Sequence, residues 1–193
     1  MLPEHFSVKE LWDGQIEAWG PDLALLEVAP SYVSTIKTYK SFLNLSRQKA
    51  ELAKYPPNIE KGFWAITGMV EEFSNVQHHP EIKTVTANVI CRAFFSTIHK
   101  AHDHKDYDYI DAGAKLELPD VPLSFGGISG GGLWQVDLSM DKSGTISWDG
   151  KRHFRGVAFW QSKPSDGRRV IRCHGPRSVF EKAWTEWELP KSA

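Results

Sequence analysis

The sequence predicts an α+β domain, with helices in the first half packed on a C-terminal antiparallel sheet or small β-barrel. Three observations carry that expectation. Between residues 32 and 53, Tyr32, Ile36, Tyr39, Leu43, Ala50 and Ala53 recur every three to four positions, as on one face of a helix. After Asp111 the texture changes to short Val, Leu, Trp and Phe runs separated by Gly, Pro, Asp and Ser, the pattern of consecutive strands. The 193 residues, 41% hydrophobic and 24% charged, have the size and composition of one globular domain. The mainly helical part (1–110) and the β-rich part (111–193) are therefore expected to share one core.

Each element follows from local chemistry. Leu11, Trp12, Ile16 and Trp19 suggest a short helix that ends at Gly20-Pro21. Ser31 offers a hydroxyl cap to the next helix, which Pro56-Pro57 stops. A further helix is expected after Asn58, with Ile59, Phe63, Ile66, Val70 and Phe73 on one face, ending before Pro80. Residues 81–104 fit two periods. Ala87, Ile90, Cys91, Phe94, Ile98 and Ala101 make a helical face, while Val85, Ala87, Val89, Cys91 and Ala93 alternate as in a strand. The length of the run favours helix. Strands are expected at 115–118, 133–138, 145–148, 153–161, 168–173 and 184–189, with turns at Asp141 to Gly144 and at Asp149-Gly150.

Charge narrows the functional classes. The formal net charge is −1 and the basic residues are scattered, so no nucleic-acid footprint is present. Arg168, Arg169 and Arg172 form the one tight basic group, read as a solvated strand face. No stretch reaches the ~18 apolar residues of a membrane span. The first residues lack the pattern of a signal peptide, so the cytoplasm is the expected location. Cys91 and Cys173 are expected to be reduced core thiols.

Four constellations bear on chemistry. The first is His78-His79-Pro80-Glu81. Here the chain resembles the pterin-4a-carbinolamine dehydratases, in which a helix runs into His-His-Pro-Glu and then an edge strand. The resemblance implies that His78 and His79, with Glu81, act as acid and base on a hydroxylated pterin. Two imidazoles with pKa near working pH suit a dehydration. The family's third histidine would fall near Ser96, and His99 lies three residues beyond it. The residues themselves favour a helix C-terminal cap, where His complements the last carbonyls.

The second constellation, His99, His102, His104, Asp103 and Asp106, has the i, i+3 spacing of metal ligands. Interleaved Lys100 and Lys105 make it read better as a solvated helix end, and neither a metal nor a cofactor is expected.

The third places five glycines within Gly126 to Gly132. Neither phosphate-loop nor dinucleotide spacing is present, so a bend or bulge is expected. From there to the aromatic Val157-Ala158-Phe159-Trp160 strand, the texture resembles the glycine-rich β-barrels of the virulence-associated (Vap) proteins. That resemblance implies a compact, non-enzymatic barrel. Ser129, in Gly-Ile-Ser-Gly-Gly, lacks a strand–turn–helix context and is not expected to be a nucleophile.

The fourth is tryptophan: five of the eight fall in the β half. Trp134, after the glycines, and Trp160, in an aromatic pair, are the candidate ligand-binding rings. The expected function is a non-enzymatic binding or interaction protein. Its Trp-bearing curved β surface would take a small apolar molecule, a sugar or a protein partner, and no nucleic acid. The alternative is a small cofactor-independent lyase or dehydratase using the His78/His79 pair.

Overall fold

The computed structural model describes residues 6–12, 18–79, 81 and 84–185, with only the backbone for 6–12, 76, 78–79, 84–85, 87, 140 and 149. Its centre is a closed antiparallel barrel of six strands. In chain order these are β3 (Phe63–Met69), β6 (Cys91–His104), β7 (Tyr107–Lys115), β8 (Gly132–Met140), β9 (Ile146–Gln161) and β10 (Arg168–His174). Around the barrel the order is β10-β7-β6-β3-β8-β9, and β9 returns to β10. Closure gives every barrel strand two neighbours and leaves no edge to protect. Register shifts at Ile98/Lys100, Leu133/Trp134, Val136/Leu138 and Arg172/Cys173 supply the local bends that a small barrel needs.

The chain enters through a two-stranded ribbon, β1 (Phe6–Trp12) with β2 (Asp22–Val28), and two helices, α1 (Pro30–Tyr39) and α2 (Leu45–Lys54). A second ribbon, β4 (Asn75–His79) with β5 (Thr84–Asn88), projects between β3 and β6. The described chain ends in a helical segment whose centre, Ser178–Ala183, is a π-helix. The protein is therefore mostly β, and the barrel draws strands from both halves. No helix among the described residues is long and apolar enough to cross a membrane.

Several elements differ from expectation, each for a nonlocal reason. The helix expected after Asn58 is strand β3, a 3-10 turn (Glu71–Phe73) and strand β4. Trp64 pairs with both Ser96 and Gln135, so β3 gains hydrogen bonds on two sides that a helix there would forgo. The ambiguous 81–104 run contains β5 and the 14-residue β6; pairing with β3 and then β7 carries that strand beyond ordinary length. The single helix across 31–53 is two helices. Ala29, not Ser31, stands at the first N-cap, without a side-chain bond. Asn44 caps α2 by accepting the Arg47 N–H at 2.8 Å. Where the expected opening helix is described, Leu11 and Trp12 belong to β1 and Ala18 and Trp19 form a turn; residues 13–17 fall outside the description.

In the β half, β8, β9 and β10 lie where strands were expected, with 145–148 and 153–161 merged into one strand. Only Lys115 of the 115–118 run belongs to a strand. The expected last strand begins instead as helix at Trp184 and Thr185, with 186–193 outside the description. Its helical start is fixed from 70 positions away. The Asp108 carboxylate accepts from the backbone N–H of Ser178 at 2.6 Å and of Arg177 at 3.1 Å.

The main core fills the barrel, with Ile66, Ala112, Leu133, Ala158, Ile171 and Cys173 all at zero exposure. A second cluster, Phe154, Val179 and Phe180, lies outside the wall, where α2 and the C-terminal helix cover β8 and β9. Cys173 is a core thiol, whose pKa burial pushes up, whereas Cys91 is exposed and corrects its expected burial.

Candidate functional site

The glycine-rich segment is a loop pinned into the barrel mouth at two points. Phe125 and Ile128 plug the core at 1% and 3% exposure, and the polar atoms between and after them stay outside. Backbone bonds tie the loop to both sides. Gly126 O accepts from Glu71 N at 2.8 Å, Gly130 N donates to Ala158 O at 2.8 Å, and Ala158 N donates to Gly131 O at 2.8 Å. Gly127 and Gly130 each have a φ of 83°, a left-handed conformation that a residue with a Cβ resists. The expected bend is present, and it carries a serine at its exposed turn.

Beside this loop lies a cavity of about 320 Å³. Four elements meet around it: Leu23 and Leu25 from β2, Leu45 from α2, Phe154 and Val157 from β9, and Val179 and Trp184 from the C-terminal segment. Ser129 and Gly130 form its polar margin, and Asp22 is the one ionisable side chain lining it among the described residues. Nothing lies within 4 Å of where a Gly130 Cβ would stand, so the loop is open on this side.

Ser129 has unspent hydrogen-bonding capacity. Among the described residues its Oγ has no partner, and neither do the backbone N–H groups of Gly127 and Ser129. The spacing Gly127-Ile128-Ser129-Gly130-Gly131 is G-x-S-x-G in full. That signal was present in the sequence, although here the serine precedes a strand rather than a helix.

The sequence-predicted residues disperse. Trp134 is half-buried; its Nε1 donates to Thr67 Oγ1 at 2.8 Å and its ring packs edge-on against Phe154 at 5.2 Å. Trp160 is half-buried, with the Arg172 guanidinium 5.3 Å from its ring. Neither lines the cavity; among the described residues the tryptophan that does is Trp184. His78 and His79 lie on β4, opposite Val85 and Thr84, so no helix end is there for them to cap. Their side chains and Pro80 fall outside the description, and Glu81 is exposed.

The downstream histidines are on strand β6, not on a helix end. Together with β7, β10 and residues 18–22 they build a second polar centre outside the wall. Asp111 accepts from Arg172 Nε at 2.7 Å and Nη2 at 3.0 Å, and its Oδ2 lies 3.2 Å from His102 Nε2. Burial opposes ionisation of Asp111, but the Arg172 hydrogen bonds and charge, with His102, outweigh it and hold the carboxyl below its ordinary range. Arg172 also donates to Ala18 O at 2.7 Å and lies 4.4 Å from the Trp19 ring. It is buried, which corrects the expected solvated face. Tyr109 Oη donates to Trp19 O, and His174 Nε2 accepts the Asp22 N–H at 3.2 Å.

These contacts clamp residues 18–22 to the barrel, so the centre is occupied by the chain itself. Among the described residues no group of three or more His, Cys, Asp or Glu is arranged to hold a metal ion. No known family, curated protein or solved structure was found to match the chain.

Proposed function

We propose that the protein binds a small apolar molecule in the cavity beside the glycine-rich loop. The observation that carries this reading is the cavity's wall: nine apolar side chains from four elements around a single ionisable group among the described residues. A volume near 320 Å³ falls at the lower end of the ligand-pocket range of roughly 300–1,000 Å³. Burial of the ligand's apolar surface would supply the affinity, at about 25 cal/mol per Å² before association costs. The Ser129–Gly130 margin would receive its polar end.

Indole, titrated by ligand-observed NMR, tests the reading. Leu25→Trp fills the cavity from its open wall and should weaken indole binding by about tenfold or more without lowering the melting temperature. Unchanged affinity in that variant removes the cavity from consideration.

One observation favours a second reading of the same cavity, acyl transfer at Ser129. Its hydroxyl stands beside two unspent backbone N–H groups in one loop, the donor type that stabilises a developing oxyanion. Ser129 Oγ would form the new bond to the carbonyl carbon of an ester whose apolar acyl group fills the cavity, while the bond from that carbon to the ester's alkoxy oxygen breaks and the alcohol leaves. No base hydrogen-bonds to Ser129 among the described residues, and the hydroxyl is exposed, so water would carry its proton to the departing alkoxide. A fluorophosphonate probe distinguishes the readings: stoichiometric labelling abolished by Ser129→Ala establishes a nucleophile, and no labelling leaves a binding site.

A further inference from the structure

A second cleft, of about 600 Å³, opens between α2 and β9 and shares no lining residue with the apolar cavity. Its chemistry is the opposite of that cavity's. Its width is set by a directed bond, because Gln48 Oε1 on α2 accepts the Phe154 N–H of β9 at 3.0 Å. On the helix side stand Arg47 and Tyr55, and on the strand side Lys151, Arg152 and His153. The two arginines therefore face one lining carboxylate, Glu51, among the described residues. That carboxylate is already engaged by Arg47 Nε at 3.0 Å and by Gln48.

Arg152 has no carboxylate partner among the described residues, and its guanidinium lies 6.0 Å from the Trp134 ring. The Tyr55 ring lies 5.2 Å from the His153 imidazole at a 35° tilt, and Tyr55 is 48% exposed. An accessible aromatic face thus adjoins an excess of positive charge in a cleft large enough for a ligand of two or three rings.

We propose that this cleft is a binding site for a small aromatic anion, its ring against Tyr55 and its charged group between Arg47 and Arg152. Guanidinium groups present paired donors that match a carboxylate or a phosphate, so either could supply the charge. The ring supplies stacking area on a side chain whose orientation His153 already restricts.

The test is a titration of the isotope-labelled protein with four probes: 2-naphthyl phosphate, 2-naphthoate, 2-naphthol and inorganic phosphate. Binding is read from the backbone amide shifts of Gly150, Lys151 and Arg152, none of which adjoins a residue lining the apolar cavity. At least one of the two aromatic anions should saturate these shifts below about 5 mM, and which one does identifies the anionic group. Naphthol and phosphate should each bind about tenfold more weakly or worse, because each lacks half of the recognised chemistry.

Arg152→Ala and Tyr55→Ala should each cost the aromatic anion about tenfold in affinity with the melting temperature unchanged. Arg152→Lys should recover part of that loss. No saturation by either anion at about 5 mM overturns the proposal. So does naphthol binding as tightly as the anions, or affinity unchanged in both alanine variants.

Discussion

Strand β7 and helix α1 mark the two extremes of this molecule. In β7, six consecutive residues, Tyr109 to Ala114, are buried. Ile110, Ala112 and Ala114 face the barrel core, while Tyr109 and Asp111 face residues 18–22 across the wall. In α1 no residue is buried, and Ile36 and Tyr39 are 37% and 79% exposed. Yet α1 has the more regular apolar period. A period shows which face of an element is apolar, not whether anything covers it, and stability comes from the cover.

The sharpest test of this contrast is on the covered side of β7. Asp111→Ala strands the buried Arg172 guanidinium without its carboxylate. Breaking such a pair costs about 3–5 kcal/mol, readable as a shift in the urea midpoint. A loss below about 1 kcal/mol would mean that the 18–22 cover is not part of the stable fold.

The next effect is a dependence on pH. His174 is fully buried and holds an acceptor nitrogen toward Asp22 N–H, while its Nδ1 has no partner. Burial, only partly offset by Asp108, pushes its pKa down from an ordinary 6.5 to about 4. Below pH 6.5 the unfolded chain takes up a proton that the folded chain refuses until about pH 4. The stability due to neutral His174 is thus full above 6.5 and lost progressively down to about 4, a loss of about 3 kcal/mol. Asp111, held low, gives up its share only in stronger acid. His174→Gln keeps an acceptor for Asp22 and should flatten the slope of stability between pH 6.5 and 4. A slope unchanged in that variant would place the titration on another group.

The smallest effect is expected on α1. Replacing Ile36 and Tyr39 together with Ser should shift stability by no more than about 0.5 kcal/mol, as at other uncovered surfaces. A loss of 2 kcal/mol or more in a thermal melt would show that this face is covered in solution, and the contrast with β7 would fail.

The two candidate ligand sites divide along the same line. The glycine-rich bend was legible, because five glycines in seven residues disfavour helix and strand and allow the positive-φ turns found at Gly127 and Gly130, and the G-x-S-x-G spacing was there to be read. The wall of the apolar cavity was not. Leu23, Leu45, Phe154 and Trp184 stand on four elements that share no period and no motif. Among the tryptophans, burial depends on which strand passes next to each ring. Trp134 is tied to Thr67, and Trp184 lines the cavity.

What the sequence by itself determined are the features whose partners lie within a few residues. Asn44 caps α2 through Arg47 N, and Asp141 closes its turn by accepting from Ser143 N and Thr145 N at 2.9 Å. The alternation of β8 is equally local. The tertiary structure alone decided that residues 63–69 and 91–104 are strands. The run containing 91–104 fits both a 3.6 and a 2.0 period and residues 63–69 read as helix, and only the pairing of Trp64 with Ser96 and Gln135 makes strands of both. It likewise decided that Arg172 is buried, because the carboxylate that makes this tolerable lies 61 residues earlier in the chain. A helix can satisfy its backbone from its own sequence, but a strand and a buried charge need partners whose position only the closed barrel fixes.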